Sequence, residues 1–451
     1  MKWAVYNILF LLVYPFLLPG FLMRMLKRGG YAARMGDRFA IYPEGVLTAL
    51  GRRDSITDSH DLGDPPKDGF VWVHAVSVGE VQVAGQLMRE WRKAEPSVRF
   101  CFSTTSSTGW KMAEREVGPA DVLIYNPLDF PTFVRAALLT VRPRAIVLTE
   151  SEIWPNFIRK ARKYGIPLFL INARVSDRSA PRYKAARFFF GDVFRCFTRI
   201  FAQSDLDARR LIAAGAPEDR VSVSGSFKFD VARRNEAKER ELADWMGAAG
   251  VRKGETKILL GGSTWPGEDE VLLKIYRNIV AAEPSGATTL VIAPRHFEKA
   301  DAIEANILRH GFACVRRSRG TACGENRAAA RPVFLADTTG ELMGLYGLAD
   351  AVFVGKSLCA HGSQNMIEPC LCGKPTFVGP HTENFRPVMS DLLSADAIVQ
   401  VKDAAELEER LRACLSDAET RAAQGARAKA AVERRCGVVA KCVADIGRAI
   451  R

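Results

Sequence analysis

The sequence predicts an α/β protein with two Rossmann-like domains that face each other across a cleft, preceded by an N-terminal membrane-anchor helix. From residue 70 onward, short apolar runs alternate with amphipathic helical patterns, as in parallel sheets built from right-handed crossovers. The alternation pauses at residues 230–256, a polar, charge-rich stretch that we interpret as a domain linker. Residues 4–23 carry no charge and lie ahead of both domains.

Length and composition set the class of protein. A chain of 451 residues exceeds one ordinary hydrophobic core, and 48% hydrophobic with 25% charged residues is typical of a folded, enzyme-sized protein. The net charge of +13 favours an anionic partner such as nucleic acid, anionic lipid or a phosphorylated substrate. The closest pair of cysteines, Cys370 and Cys372, has a spacing that fits neither a zinc ribbon nor a redox site, which favours a reduced, cytosolic compartment.

The predicted anchor, residues 1–28, rests on residues 4–23, because roughly 20 apolar residues cross a bilayer. Basic residues dominate from Arg24 to Arg38, and by the positive-inside tendency they keep the rest of the chain on the cytoplasmic side. Pro15 and Pro19 leave an interfacial anchor as the alternative to a transmembrane one. A cleaved signal peptide is disfavoured, because no small-residue cleavage site precedes the basic cluster.

The first domain, predicted at residues 29–235, contains candidate strands separated by helices. The helical period is clearest at residues 81–94, where Ala84, Leu87, Met88 and Trp91 fall on one face. The candidate strands are residues 71–76, 98–103, 145–150, 166–171 and 199–204.

The second domain, predicted at residues 236–420, repeats the pattern, and residues 403–451 read as helices only. Its candidate strands are residues 257–262, 288–294, 331–337, 350–355, 374–379 and 397–401. Ligands of such folds bind at the carboxyl ends of the strands, so we look there for functional residues.

Carboxylates follow two strands of the first domain. Glu80 comes after a Ser-Val-Gly turn at a predicted helix start, where a carboxylate is either a catalytic group or a plain cap. Glu152 precedes Pro155, a residue suited to a first helical turn, and is likewise either a capping charge or functional. Residues 103–109 offer hydroxyls and amides to polar groups of an acceptor. No Gly-x-Gly-x-x-Gly fingerprint follows the first strand, which disfavours a dinucleotide site.

Phosphate-binding residue types follow strands of the second domain. Gly261-Gly262-Ser263-Thr264 allows close approach to the backbone, and Arg295 beside His296 offers a bidentate fork for phosphate or carboxylate. Gly340-Glu341-Leu342 opens a predicted helix, whose free amides bind anions.

The densest stretch of polar residues is 355–385, with Asn365 and Glu368 on a predicted helix. A zinc site of His361, Cys370, Cys372 and His381 is the rival interpretation, but the ligand spacing matches no standard pattern.

Taken together, these segments resemble the 3-deoxy-D-manno-octulosonic acid (Kdo) transferases, which move Kdo from CMP-Kdo to a lipid A precursor. The resemblance covers nearly the whole chain and keeps one order of motifs. It rests on HAVSVGE (74–80), YNPLDFP (125–131), ESEIWPN (150–156), NARVSDRS (172–179), GSFKFD around Lys228, GGST (261–264), APRH (293–296), TGELMGLYGLADAVFVG (339–355), HGSQNMIEPCLCGKP and GPHTENF.

The resemblance implies a GT-B fold at the cytoplasmic face of the inner membrane, with the acceptor bound by the first domain and CMP-Kdo by the second. Residues 421–451 would pack back toward the N-terminal domain. Glu80 matches the family's general base for an inverting attack on C2 of Kdo, Glu152 an acceptor-site acid and Arg295 the arginine at the donor phosphate. No metal or other cofactor is implied. The other acceptor-binding residues are expected to be Ser77, Gly79, Ser103, Thr104 and Arg174, and the donor-binding ones Ser263, Thr264, His296, Gly340, Glu341, Leu342, Asn365 and Glu368.

Five residues depart from the family pattern, all on the donor side: Trp265, Lys356, Ser363, Gln364 and Met366. A GT-B enzyme with another nucleotide sugar and lipid acceptor is therefore the first alternative. A non-catalytic nucleotide-binding membrane protein is the second, and it would leave Glu80, Glu152 and Arg295 without a role. Nucleic-acid binding is disfavoured because basic and aromatic residues are not interleaved.

Overall fold

A computed structural model describes residues 2–12, 16, 32–52, 66–230, 235–252, 254–283, 288–320 and 332–450. The chain divides into unit 1, Met1–Asp230 with Gly437–Arg451, and unit 2, Val231–Cys436. Most of the predicted anchor, residues 13–15 and 17–28, lies outside the described residues. Within the described part of the chain, no helix combines the length and apolar character that crossing a bilayer requires.

Within the described residues, unit 1 holds a seven-stranded parallel sheet in the order β3-β2-β1-β4-β5-β6-β7. Its central strands are buried along their whole length, as expected when helices cover both faces of a parallel sheet. The strands are β1 (Val71–His74), β2 (Phe100–Thr104), β3 (Val122–Tyr125), β4 (Ala145–Thr149), β5 (Leu168–Ala173), β6 (Arg199–Ala202) and β7 (Val221–Val223).

The helices of unit 1 mostly connect these strands. Ser77, Ser106 and Ser204 each accept a backbone N–H at a helix start, which fixes where α3, α4 and α9 begin. The helices are α1 (residues 2–12), α2 (Glu44–Ala49), α3 (Val78–Ala94), α4 (Ser107–Ala113), α5 (Pro131–Val141), α6 (Pro155–Lys163), α7 (Ala180–Ala185), α8 (Arg187–Phe194) and α9 (Asp205–Ala213).

Unit 2 also holds a seven-stranded parallel sheet within its described residues, in the order β10-β11-β9-β8-β12-β13-β14. Its strands are β8 (Lys257–Thr264), β9 (Thr288–Pro294), β10 (Ala313–Arg316), β11 (Pro332–Leu335), β12 (Ala351–Val354), β13 (Thr376–Val378) and β14 (Val399–Gln400).

The helices of unit 2 are α10 (Glu236–Gly247), α11 (Glu268–Ala282), α12 (Ala300–Arg309), α13 (Leu342–Leu348), α14 (Ile367–Leu371), α15 (Arg386–Ser394), α16 (Ala404–Ser416) and α17 (Ala418–Glu433). The last helix, α18 (Val438–Ala449), belongs to unit 1. Short 3-10 helices lie at Ala32–Phe39, Glu218–Arg220, Phe227–Phe229, Phe297–Lys299, Arg317–Arg319 and Glu383–Phe385.

Helix α18 completes the core of unit 1. Its buried residues, from Val438 to Ile446, join one cluster with Leu87 and Met88 of α3 and with the sheet. Asp230, the last residue before unit 2, accepts the backbone N–H groups of Gly437 and Val439 at 2.6 and 2.7 Å and so caps α18. Helix α17 packs on α14 within unit 2, so the predicted C-terminal segment 421–451 is shared between the units.

The predicted strands correspond to β1, β2, β4, β5 and β6 in unit 1 and to β8, β9, β11, β12, β13 and β14 in unit 2. The strands absent from the prediction, β3, β7 and β10, each lie at a sheet edge. Strands β7 and β10 are only partly buried, and edge strands need less apolar sequence than central ones. Residues 236–247 of the predicted linker form α10, which buries Leu242, Trp245 and Met246.

Candidate functional site

Both sheets have a point where the strand order reverses, and ligands of α/β sheets bind outside the carboxyl ends of the strands there. In unit 1 this point lies between β1 and β4, and in unit 2 between β8 and β12. The residues that follow β1 and β4 include Glu80 and Glu152, and Thr264 and Lys356 lie at the ends of β8 and β12. Of the predicted site residues, Glu80, Glu152 and Thr264 therefore lie where the strand order of a sheet reverses.

Glu80 is held rigidly at the first turn of α3. Its Oε2 accepts the N–H of Val76 at 3.0 Å, and its Oε1 accepts the hydroxyl of Ser77 at 2.8 Å. The Ser77 hydroxyl in turn lies 3.3 Å from the N–H of Glu80, an arrangement close to a capping box. Thr149, at the end of β4, places its hydroxyl 3.3 Å from Oε2. Glu80 is thus both a cap and a fixed carboxylate at the strand-order reversal, with 8% of its surface exposed.

A second buried carboxylate, Glu150, lies beside Glu80 and was not among the predicted site residues. Its Oε2 is 2.8 Å from Nε of Arg174, and its Oε1 accepts the side-chain amide of Asn172 at 3.3 Å. Burial raises the pKa of Glu150, Arg174 and Lys228 lower it, and the nearby Glu80 raises it further. Glu150 and Asn172 both have a φ of 50°, in the left-handed region that non-glycine residues rarely adopt.

Lys228 belongs to the same charged group. Burial lowers the pKa of its ammonium, while Glu150 raises it and Arg174 lowers it. The motifs ESEIWPN and GSFKFD contain Glu150 and Lys228, so the sequence held a signal for both residues. The sequence did not reveal that Glu150, Arg174 and Lys228 lie close together, because β4, β5 and the segment after β7 come together only in the folded sheet.

Glu152 contacts aromatic partners. The indole N–H of Trp154 donates to its Oε2 at 3.0 Å, and Nε2 of the fully buried His74 lies 3.8 Å from the same oxygen. Nδ1 of His74 lies 2.9 Å from the Ser103 hydroxyl, whereas Nε2 has no hydrogen-bond partner among the described residues. Glu152 is therefore oriented by Trp154 and lies close to an imidazole nitrogen.

The remaining predicted acceptor residues differ in exposure. Ser77 and Gly79 are exposed at the start of α3, whereas Ser103 and Thr104 are buried at the end of β2. The Ser103 hydroxyl accepts the indole N–H of Trp72 at 2.8 Å and so serves the core as well. Arg174 is exposed and is oriented by its ion pair with Glu150.

In unit 2, Glu268 at the start of α11 organises the loop after β12. Its Oε2 accepts the backbone N–H groups of Trp265 and Lys356, both at 2.8 Å, and its Oε1 accepts those of Ser357 and Leu358, both at 3.1 Å. Glu268 is completely buried. This carboxylate fixes the backbone from residue 356 onward, and it was absent from the predicted site.

The predicted donor residues after β8 and β9 lie near each other. The N–H of Arg295 donates to the carbonyl of Thr264 at 3.0 Å, and the Arg295 side chain is exposed. The ring of His296 contacts that of Trp265 at 5.2 Å between centroids, and Nζ of Lys356 lies 4.6 Å from the Trp265 centroid. Thr264, Trp265 and His296 line a cavity of about 270 Å³ that reaches α12. Ser263 adopts a φ of 52° near the end of β8, where the pairing with β9 shifts register.

Gly340, Glu341 and Leu342 precede and begin α13, as predicted, but Glu341 is occupied by an internal ion pair. Its Oε2 lies 3.1 Å from Nε of Arg317, and the Thr338 hydroxyl donates to the same carboxylate. Burial alone would raise the pKa of Glu341, but these partners hold it below its ordinary value.

Asn365 and Glu368 are coupled at the start of α14. The Asn365 side chain accepts the N–H of Ile367 and donates to Oε1 of Glu368, both at 3.1 Å. Burial raises the pKa of Glu368, and the Asn365 hydrogen bond lowers it. Met366 is fully buried and Ser363 has a φ of 61°, so these departures from the family pattern occupy constrained positions, while Gln364 is half-buried.

Comparisons with known proteins identify the family. A family model described as 3-deoxy-D-manno-octulosonic-acid transferase (kdotransferase) matches residues 33–231. A 3-deoxy-D-manno-octulosonic acid transferase from Haemophilus influenzae is 30% identical over 417 residues, which are 92% of this chain and 91% of that protein. The protein of the same name from Bordetella pertussis is 35% identical over 340 residues, 74% of this chain and 76% of that protein. This chain belongs to the Kdo transferase family.

A solved structure shares the fold of this chain. A solved glycosyltransferase from Rickettsia africae matches 85% of this chain and 98% of its own, with a TM-score of 0.54 at 11% identity. That likeness supports the predicted pair of parallel-sheet α/β domains, as in GT-B glycosyltransferases. The resemblance to the Kdo transferases is thus confirmed, and the residues of the family match span the whole cluster from Glu80 to Lys228.

Proposed function

We propose that this Kdo transferase moves Kdo from CMP-Kdo to a lipid A precursor, lipid IVA, with inversion at C2 and with Glu80 as the general base. The proposal rests on family membership and on one observation, the fixed carboxylate of Glu80 at the carboxyl ends of β1 and β4. The net charge of +13 suits two substrates that both carry phosphate.

The proposed chemistry uses groups of the chain itself. Glu80 takes the proton of an acceptor hydroxyl while the oxygen forms a bond to C2 of Kdo. The bond from C2 to the phosphate oxygen breaks, and CMP leaves with the electron pair. Arg295 stabilises the charge on the leaving phosphate, and Glu152 orients the acceptor. No metal ion is required in this scheme.

The remaining predicted residues keep their proposed roles in binding. The acceptor would contact residues at the ends of β1, β2 and β5. The donor would contact residues at the ends of β8, β9, β11 and β12 and in the segments that follow them. The acceptor residues are Ser77, Gly79, Ser103, Thr104 and Arg174, and the donor residues are Ser263, Thr264, His296, Gly340, Glu341, Leu342, Asn365 and Glu368.

We place the enzyme at the cytoplasmic face of the inner membrane through residues 1–28. Helix α1 packs on unit 1 through Trp3 and Tyr6, whose rings lie 5.3 and 5.6 Å from that of Phe189. Its other side chains Val5, Ile8, Leu9, Leu11 and Leu12 are 50–60% exposed, and Phe188 beside it is 66% exposed. Exposed apolar side chains on a protein with a net positive charge suit an interface with anionic lipid.

The decisive experiment measures transfer by Glu80→Gln. Glutamine keeps the shape and acceptor oxygen of the cap but is no base, so Kdo transfer should fall by about 100- to 10,000-fold while the melting temperature stays close to that of the wild type. Mass spectrometry of the lipid product formed from CMP-Kdo and lipid IVA provides the measurement.

Two controls accompany this assay. Glu90→Gln, on the same helix and paired with Lys93, should transfer Kdo at the wild-type rate. Replacing CMP-Kdo by UDP-sugars should give no product with either protein. Full transfer by Glu80→Gln, or transfer from a UDP-sugar instead of CMP-Kdo, would contradict the proposal.

A further inference from the structure

A cluster of metal-ligand side chains lies in unit 2, on the loops that follow β12 and β13. It consists of His361, His381 and Glu383, whose ligand atoms all lie within 4.8 Å of one another. No other group of this kind occurs among the residues with described positions. None of the three side chains has a role in the proposed transfer.

Two of the three ligand–ligand distances suit a single small cation. Nδ1 of His361 lies 3.1 Å and Nδ1 of His381 3.6 Å from Oε1 of Glu383. Ligands about 2.0–2.1 Å from a tetrahedral zinc ion are separated by about 3.3 Å, which falls between these two values. The imidazole rings of His361 and His381 are in direct contact, with 3.9 Å between centroids and a tilt of 48°.

Hydrogen bonds beside His381 join the loop after β12 to the loop after β13. The N–H of His381 donates to the carbonyl of Ser357 at 3.0 Å, and the N–H of Gly379 donates to the Ser357 hydroxyl at 2.9 Å. Glu268 holds the N–H of Ser357 itself. Because these bonds tie the two loops together before any ion binds, little ordering is needed to form the site.

We infer that His361, His381 and Glu383 form a binding site for a divalent transition-metal ion of the zinc class, which cross-links the loops after β12 and β13. Two imidazoles and one carboxylate are a donor set that zinc prefers, with water in the fourth position. Magnesium and calcium are disfavoured, because they take oxygen ligands. The side chains are partly exposed, with 77% for His361, 32% for His381 and 40% for Glu383, so an ion can reach them from solvent.

This assignment differs from the zinc site considered from the sequence. The histidines are the same, but Cys370 and Cys372 are buried at α14 and belong to no such cluster among the residues that the structure describes. The third ligand is Glu383, which lies two residues after His381.

The test titrates the full chain, freed of metal with a chelator, with zinc ions in a calorimeter. The wild type should bind one zinc ion saturably. Loss of a residue that only supports a metal ligand weakens metal binding by roughly 10- to 100-fold. His361→Asn, His381→Asn and Glu383→Gln each remove a ligand itself and should weaken zinc binding at least as much. Zinc should raise the melting temperature of the wild type and not that of the variants.

His310→Asn is the matched control, because this histidine lies on α12 of the same unit and hydrogen-bonds only the carbonyl of Asn306 in the described structure. It should bind zinc as the wild type does. Equal melting temperatures of all proteins without zinc establish that the ligand variants fold. Absence of saturable binding to the wild type, or binding unchanged in all three ligand variants, overturns the site. Both outcomes are independent of whether the enzyme transfers Kdo.

Discussion

Two neighbouring carboxylates after β1 and β4 have different partners. Glu80 accepts hydrogen bonds from Val76 and Ser77, whereas Glu150 is paired with the guanidinium of Arg174. The burial that raises the pKa of Glu150 is opposed first by that ion pair. Such an arrangement suits Glu150 for orienting Arg174, and our proposal assigns proton transfer to Glu80 alone.

Glu150→Gln should therefore raise the KM for the lipid acceptor several-fold and leave kcat nearly unchanged. Without its ion pair Arg174 becomes mobile, and its binding of the substrate and of the transition state weakens to the same extent. Steady-state kinetics with varied lipid IVA measure both constants. Glu116→Gln, which removes the partner of Arg89 elsewhere in unit 1, serves as the control. A large fall in kcat with KM unchanged would instead place Glu150 in the chemical step.

At the scale of elements, one buried carboxylate joins two helices. Asp129 accepts the N–H groups of Asn156 and Phe157 at the start of α6, at 3.0 and 2.8 Å. It also accepts the hydroxyl of Tyr6 from α1 at 2.9 Å. Burial raises the pKa of Asp129 to about 7, although these hydrogen bonds lower it. The contact between α1 and α6 thus depends on a group that titrates near neutrality.

The free energy of unfolding should therefore depend on pH through the titration of Asp129. A carboxyl whose pKa is raised by folding stabilises the native state most at low pH, and that contribution is lost as pH rises from 3.8 through about 7. The difference between these values corresponds to roughly 4 kcal/mol. Relative to the wild type, Asp129→Asn should therefore become more stable as pH rises from 5 to 8 in denaturant titrations. A constant difference between the two proteins over that range would exclude the effect.

At the scale of the whole molecule, the exposed apolar side of α1 is expected to determine whether the protein binds to membranes. Leu9→Glu with Leu12→Glu should reduce sedimentation of the protein with phosphatidylglycerol vesicles by tenfold or more, because each buried leucine contributes about 1.5–3 kcal/mol. Leu206→Glu with Leu308→Glu, at leucines 47% and 57% exposed elsewhere, is the matched control. Equal vesicle binding by both double variants would show that α1 does not contact the membrane.

Much of the architecture could be predicted from the sequence, because central parallel strands are continuous apolar runs and α3 has a clear helical period. The position of Glu80 at a helix start could be predicted because the capping residue Ser77 lies three residues before it. The contacts of Glu150 with Arg174 and of Glu268 with the loop after β12 could not be, since they join segments that only the folded sheets bring together. The same reason explains why Glu383 was not grouped with His361.

The return of the last residues to unit 1 makes the order of synthesis matter for folding. The sheet strands of unit 1 are complete by Val223, yet part of the hydrophobic cluster between α3 and the sheet comes from Val439, Cys442 and Ile446 of α18. More than 200 residues of unit 2 emerge from the ribosome between these two parts. Until α18 is synthesised, unit 1 therefore exposes the part of this hydrophobic surface that α18 covers, a condition that favours aggregation of nascent chains, whereas unit 2 has its entire sequence in one continuous stretch.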